Sequence, residues 1–299
     1  MHIKEGDGRY MIKLIASDMD GTLLNKKHDI DDETVMAIKK VEESGIIFAI
    51  STGREYENVE PFLKKHNIKC QCILMNGAEY RDEDGNIVEE INIENIKCKK
   101  IINILHKEKI SARIFTNKGI YTSDIKEEAL KEMTYRTLAF NPQMSEEQAR
   151  QEAENHPYFT QLKYITDIEE FLNSDIQIRK FVAFNNNIEL INKVKEEIGQ
   201  IDGLAVSSSF VDNIEITDYS AQKGLILSKV SKKMGMQKDE VMVLGDSFND
   251  YSMFTEFTET VAMGNAIPEI KKIAKYITDT NDNFGVAKAI YRVIEKQNK

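Results

Sequence analysis

The sequence is short of the features that mark several protein classes. Four prolines and fifteen glycines in 299 residues are too few for a collagen-like or low-complexity chain. No apolar run approaches the roughly 20 residues that cross a bilayer; residues 46–50 form one of the longest, so no membrane association is expected. Residues 1–10 are charged and hold no apolar stretch. No secretory signal is expected there, and Met11 is a second candidate initiator. Basic residues number 40 against 50 acidic ones, a net charge of −10. Phosphate backbones are bound by an excess of Lys and Arg, so nucleic acid is not an expected partner. Nor does any segment mark an obligate protein partner. The three cysteines, Cys70, Cys72 and Cys98, are an odd set. They imply a reducing, cytoplasmic setting. Cys70-Gln71-Cys72 is C-x-C with no second pair, and reads as two small apolar side chains on one strand face rather than a zinc site. The five histidines are scattered without metal spacing.

What is present points to an α/β protein of two domains. Apolar residues are 41% and charged residues 30% of the chain, enough for real cores, and the length suits two domains at about 100–200 residues each. Residues 11–17 read as a buried strand. Residues 31–44 read as a helix, with Val35, Ile38 and Val41 on one side, acids in the first turn and Gly45 after it. Residues 45–50 are a second strand, 55–66 a helix in which Pro61 opens a turn, and 70–75 a third strand. Apolar strands alternating with helices predict a parallel sheet covered on both faces.

The rhythm then changes. Residues 79–88 and 114–122 read as hairpins, 125–170 as mostly helical with breaks at Pro142 and Pro157, 176–184 as a strand, and 188–198 as an amphipathic helix. Residues 203–210 and 213–217 read as a strand pair. After Tyr219 the α/β pattern resumes, with strands over 240–244, 260–263 and 276–278 and helices through Ile226, over 268–275 and over 286–296. The expected organisation is a discontinuous core, 1–84 and 212–299, carrying an inserted α+β domain, 85–211.

Four motifs fall where an open parallel sheet binds ligands, at strand ends or helix starts. Asp18-Met19-Asp20-Gly21-Thr22 places two carboxylates two residues apart as the first strand ends. Such a pattern arises by chance in on the order of one chain in several hundred. Ser51-Thr52-Gly53-Arg54 follows the second strand and, alone, reads more readily as a helix cap. Lys223-Gly224 opens a helix, where a cation opposes the helix dipole unless an anion compensates it. Gly245-Asp246-Ser247-Phe248-Asn249-Asp250 follows the strand over 240–244. Two rare motifs at two strand ends make coincidence a poor explanation.

With these motifs the chain resembles the haloacid dehalogenase superfamily. Asp18 to Thr22 look like its first motif, Thr52 or Ser51 its second, Lys223 its third and Gly245 to Asp250 its fourth. The wording Ser51-Thr52-Gly53-Arg54, Asn76-Gly77-Ala78 and Ala262-Met263-Gly264-Asn265-Ala266 is similar to the Cof-type branch, phosphatases with a type IIB cap. One departure is Phe284, where the branch often has an acid before Gly285-Val286-Ala287. The resemblance implies a Rossmann-like core, a cap that reads the substrate, and hydrolysis of small phosphorylated metabolites, sugar phosphates foremost, through an aspartyl-phosphate. It casts Asp18 as nucleophile and Asp20 as general acid and base. Lys223, Thr52, Ser51, Gly53, Arg54 and Asn249 become the phosphate side, and Asp18, Asp20, Asp246 and Asp250 the Mg²⁺ side. For Asp20 the implied metal contact is its backbone carbonyl. Four carboxylates against one ammonium would repel a phosphate dianion. With each unlike pair worth about 4 kcal/mol at about 4 Å, a divalent cation decides whether substrate enters. All-oxygen ligands favour Mg²⁺ over zinc. A phosphomutase and a non-catalytic phosphometabolite sensor are the alternatives; the leaving-group acid Asp20 speaks against the sensor.

Overall fold

A computed structural model describes residues 11–297. The segment before Met11, including the question of the initiator, lies outside the described residues. The chain divides into two units. One runs up to Glu89 and resumes at Lys223, and the other is Glu90–Gln222.

The first unit is built on an eight-stranded sheet. Its order is Tyr276–Ile277, Glu259–Ala262, Val241–Gly245, Leu14–Ser17, Ile47–Ser51, Gln71–Leu74, Glu79–Arg81 and Ile87–Glu90. The first six are mutually parallel, and Glu79–Arg81 runs antiparallel to Gln71–Leu74. Leu14, Ile15 and Ala16 are wholly buried, as expected of a central strand with both faces covered. Helix Asp32–Glu43 begins with Asp32 and Glu33 in its first turn and buries Val35, Ile38 and Val41. It packs against the closing helix Gly285–Gln297. Pro61 stands at the start of helix Glu60–His66, where its missing N–H costs nothing. Cys70 and Cys72 are buried and free. The chain lays down Leu14–Ser17 in the middle, works outward through Ile47–Ser51 and Gln71–Leu74, and later returns with Val241–Gly245 on the other flank. The order therefore reverses at the carboxyl end of Leu14–Ser17, the usual ligand position in such sheets.

The second unit is an α+β insert. Its sheet runs Leu204–Ser207, Asn213–Asp218, Ile178–Phe184, Ala112–Thr116, Gly119–Thr122 and Lys163–Tyr164. All pairs are antiparallel except the last, which is parallel. Helices Asn95–Lys107 and Ile188–Gly199 pack together over one core, with Ile101, Phe181, Ile191 and Ile214 at its centre. A second cluster joins Ala129, Leu130, Met133, Ala153 and Phe159 from the helices between residues 126 and 160. Ser145 starts helix Glu146–Asn155 by a reciprocal cap with Gln148.

Both expected domain boundaries shift toward the C-terminus. Ile87–Glu90 joins the core sheet beside Glu79–Arg81, so residues 85–89 stay with the core rather than with the insert. Asn213–Asp218 pairs with Ile178–Phe184, so residues 212–222 belong to the insert and not to the core.

Candidate active site

The register places the first motif. Ser17 lies beside Leu244 on one flank and Ile50 on the other, and the Asp18 N–H donates to the Leu244 carbonyl at 3.0 Å. Asp18 therefore leaves the sheet level with Gly245 and Ser51. Beyond it the chain makes one wide turn, Met19–Leu23, broken by extended Asp20 and left-handed Gly21 (φ 77°). A side chain at Gly21 would meet a second obstacle, because its Cβ would stand 2.6 Å from Asp246 Oδ2. Glycine is demanded there by both the backbone and the neighbouring carboxylate.

Lys223 is the centre of the site. Its side chain is 0% exposed, and its Nζ donates to Asp18 Oδ1 and to Asp250 Oδ1, each at 2.6 Å. These two anions are the compensation that a cation at a helix start requires. The helix start is fixed in turn by the Gly224 N–H, which donates to Ser252 Oγ at 2.9 Å. Burial by itself depresses a lysine; here the contacts with Asp18 and Asp250 overcome it and hold Lys223 above the ordinary lysine range.

Asp250 orients its neighbours. One oxygen takes the Lys223 ammonium, and the other accepts the N–H groups of Asp246 and Ser247 at 2.9 and 3.1 Å. That shapes the loop after Val241–Gly245. Gly245 allows the approach, since a Cβ there would lie 2.6 Å from Asp250 Oδ2. Asp246 accepts from Thr22 Oγ1 at 3.0 Å and from Ser247 Oγ at 2.9 Å.

Asp18, Asp246 and Asp250 each offer a carboxylate oxygen, all within 4.8 Å of one another. Burial, then repulsion from Asp250, pushes Asp246 up to about 7. The same two causes raise Asp18 well above the carboxylate range, against the pull of Lys223. Crowded carboxylates that resist ionisation are what a divalent cation relieves, and oxygen-only donors suit a hard ion. The residues fit such an ion. Asp18 and Asp246 are placed to hold it, and Asp250, already engaged by three donors, keeps them in position.

Asp20 and Arg54 form a pair that the sequence did not indicate. Asp20 is not among the clustered carboxylates. It points instead to Arg54, whose Nε and Nη2 donate to its two oxygens at 2.7 and 2.6 Å. The geometry is a bidentate fork. Arg54, expected on the phosphate side, is thus committed to a carboxylate. The Thr52-Gly53-Arg54 turn is held from below by the next loop: the Met75 N–H donates to the Arg54 carbonyl and the Asn76 N–H to the Thr52 carbonyl. Met75, Asn76 and Gly77 all have positive φ (48°, 61° and 107°), strain of the kind found at functional sites. Ser51 and Thr52 are both fully buried. Thr52 Oγ1 accepts the Arg54 N–H at 3.3 Å, while Ser51 Oγ has no hydrogen-bond partner among the described residues. Asn249 sits in the short turn Phe248–Asp250.

Residues that sequence reasoning left without a role also serve the site. Thr22 and Ser247 orient Asp246. Asn265 Nδ2 donates to the Gly21 carbonyl at 2.7 Å and ties the first turn to the loop after Glu259–Ala262. Thr22, Ser247 and Asn265 all lie inside quoted motifs, so the signal was adjacency to the carboxylates. Phe284 takes a left-handed conformation (φ 60°) just before helix Gly285–Gln297.

Comparison with known proteins identifies the family. Residues 15–290 match the model of the haloacid dehalogenase-like hydrolases. This chain belongs to that family. As a haloacid dehalogenase-like hydrolase it is 32% identical over 278 residues to "Phosphatase YwpJ" of Bacillus subtilis, covering 92% of this chain and 98% of that one. It is also 32% identical to "5-amino-6-(5-phospho-D-ribitylamino)uracil phosphatase YcsE" of the same organism, over 93% of this chain and 94% of that one. A solved haloacid dehalogenase-like hydrolase from B. subtilis superposes with a TM-score of 0.81 at 32% identity, covering 94% and 99% of the two chains. The protein is accordingly an enzyme of the phosphatase branch of this family.

Proposed function

We propose that the chain hydrolyses phosphomonoesters of small metabolites, sugar phosphates foremost, with Mg²⁺, through a phosphoaspartate on Asp18. The observation that carries this reading is the fully buried Lys223 ammonium joining Asp18 to Asp250, with Asp246 beside them. A buried carboxylate with a fixed cation partner is a nucleophile held in one orientation. The relative named for 5-amino-6-(5-phospho-D-ribitylamino)uracil supports a small phosphorylated substrate.

In the proposed reaction an Asp18 oxygen attacks phosphorus. The bond from phosphorus to the ester oxygen breaks, and Asp20 gives its proton to the departing alkoxide. Asp20 then takes a proton from water as that water attacks the phosphoaspartate. The bond from phosphorus to Asp18 breaks, releasing inorganic phosphate and restoring the carboxylate. Lys223 holds Asp18 and balances phosphoryl charge. Ser51 and Thr52, with Gly53 in their turn, and Asn249 are assigned to the phosphoryl oxygens. Asp18, Asp246 and the Asp20 carbonyl, kept in place by Asp250, would hold Mg²⁺, which would supply charge neutralisation to a site of four carboxylates and two basic groups. The insert is assigned the role of cap, reading the part of the substrate beyond the phosphate.

Asp18→Asn tests this. Turnover of a phosphorylated-metabolite panel, read as released phosphate, is expected to fall on the order of 10⁴-fold or more with the fold preserved by circular dichroism. Unchanged turnover would remove the covalent mechanism. Phosphate release from a monophosphate separates hydrolase from mutase.

A further inference from the structure

Asp20 stands on a stretch of chain that does little to hold its side chain. Its backbone is extended, between Met19 and left-handed Gly21, and its side chain is 43% exposed. A carboxylate so open to solvent turns among its rotamers unless a partner fixes it. The partner is Arg54, whose Nε and Nη2 meet the two Asp20 oxygens at 2.7 and 2.6 Å. An ion pair this exposed adds little stability, but two parallel bonds from a planar fork set the plane and direction of a carboxylate.

Arg54 is itself held from several sides. Its carbonyl accepts the Met75 N–H at 2.9 Å, and its own N–H donates to Thr52 Oγ1 at 3.3 Å. The guanidinium carbon lies 5.5 Å from the centroid of the Phe62 ring, and Nη1 donates to the Asn58 carbonyl at 3.4 Å. Asn58 is anchored in turn through its side chain, whose Nδ2 donates to Glu55 Oε1 at 2.5 Å. With Nε and Nη2 on Asp20 and Nη1 on Asn58, every guanidinium nitrogen has an acceptor. All these residues belong to the core unit. An arginine that binds phosphate aims its fork at the phosphate; here the fork is spent on a carboxylate.

We propose that Arg54 is a positioning residue, which acts on the reaction by aiming the Asp20 carboxylate for proton transfer and is not a ligand of the phosphoryl oxygens. This role rests on the hydrolase reading above and departs from the one that the motif implies for Arg54. It carries a chemical signature. Proton delivery counts most where the leaving group is poor. The alkoxide of a sugar phosphate needs a proton from Asp20 as the bond from phosphorus to the ester oxygen breaks, whereas p-nitrophenolate is stable as an anion and departs without one. A misdirected Asp20 therefore slows the first reaction and spares the second. A lost phosphate ligand slows both alike.

The test is steady-state kinetics of the full chain with Mg²⁺, on the fastest sugar phosphate of the metabolite panel and on p-nitrophenyl phosphate. The readout is kcat/KM, which ends at release of the alcohol and so leaves out hydrolysis of the phosphoaspartate. Arg54→Met is expected to lower it about 100-fold on the sugar phosphate and less than about threefold on p-nitrophenyl phosphate, with inhibition by inorganic phosphate unchanged. Arg54→Lys, a point charge in place of a fork, is expected to recover only part of the loss. In an Asp20→Asn background, Arg54→Met is expected to cost nothing more on the sugar phosphate. Retained turnover of p-nitrophenyl phosphate shows that a variant folds; if Arg54→Met does not, Arg54→Lys and Arg54→Gln are judged by the same ratio of substrates. Equal losses on the two substrates, weaker inhibition by phosphate, or a further loss in the Asp20→Asn background overturns the proposal and leaves the hydrolase reading standing. A parent enzyme that releases phosphate from no monoester overturns both.

Discussion

Lys223 in the core and the Arg113–Arg136 pair in the insert are both basic groups taken out of water, and their surroundings treat them oppositely. Around Lys223 anions are in excess: one ammonium faces Asp18 and Asp250, with Asp246 close by. Around the arginines donors are in excess, since two guanidinium groups share Glu132 and three of their nitrogens have no hydrogen-bond partner among the described residues. The difference teaches what each place lacks. An excess of carboxylate calls for a cation, whereas the arginines lie against the Phe184 and Tyr158 rings. Neither imbalance is explained by folding alone, because a buried pair adds little stability over a well-packed apolar one.

The sharpest way to break the comparison is Lys223→Met. Removing the ammonium leaves Asp18 and Asp250 buried without their shared partner, which is expected to cost about 3–5 kcal/mol of stability and to abolish turnover. Urea denaturation read beside phosphate release checks it. A variant as stable as the parent would mean that the cation does not hold the core site together.

A smaller effect concerns pH and metal. Asp246 has a folded pKa near 7 against an ordinary 3.8. The metal-free fold therefore keeps a proton that the unfolded chain has already released. Its contribution to stability is complete below about pH 4 and is lost as pH climbs to about 7. A divalent cation needs the ionised form, so its affinity rises across that window and its stabilisation is greatest above pH 7. At a hundredfold excess over Kd, Mg²⁺ is expected to add about 2.7 kcal/mol. Thermal melting of chelator-treated protein with and without Mg²⁺, from pH 5 to 8, reads both trends; a gap between the curves that ignores pH would contradict them.

The smallest expected effect sharpens the role of the orienting hydroxyls. Thr22→Val removes one donor to Asp246 with little change in shape. It is expected to cost about 1 kcal/mol of stability and a several-fold loss of Mg²⁺ affinity, with kcat at saturating Mg²⁺ nearly unchanged. Metal titration of turnover separates these, and a collapse of kcat would place Thr22 in the reaction itself.

Much of this was legible in the sequence, and the failures have a common cause. Strands such as Leu14–Ser17 and helices such as Asp32–Glu43 carry their own signals, in apolar runs and in end residues, and both lie where they were expected. Asp18, Lys223, Asp246 and Asp250 also meet as expected. What was missed depends on who sits across from whom. Asn213–Asp218 has the same local pattern whichever sheet it joins, and its pairing with Ile178–Phe184 moved the insert boundary. The two-residue strand Lys163–Tyr164 is too short for any periodicity. Arg54 follows Gly53 as a phosphate ligand would; only the fold shows that its fork is filled by Asp20.

The order in which the central sheet is filled has a consequence for synthesis. Leu14–Ser17 leaves the ribosome first of the parallel strands, yet its neighbour Val241–Gly245 is made more than two hundred residues later. The insert is contiguous and can complete its own sheet meanwhile. Until then the middle of the nascent core keeps one bare flank, and a message cut short anywhere upstream yields a chain whose oldest strand stays open to foreign pairing.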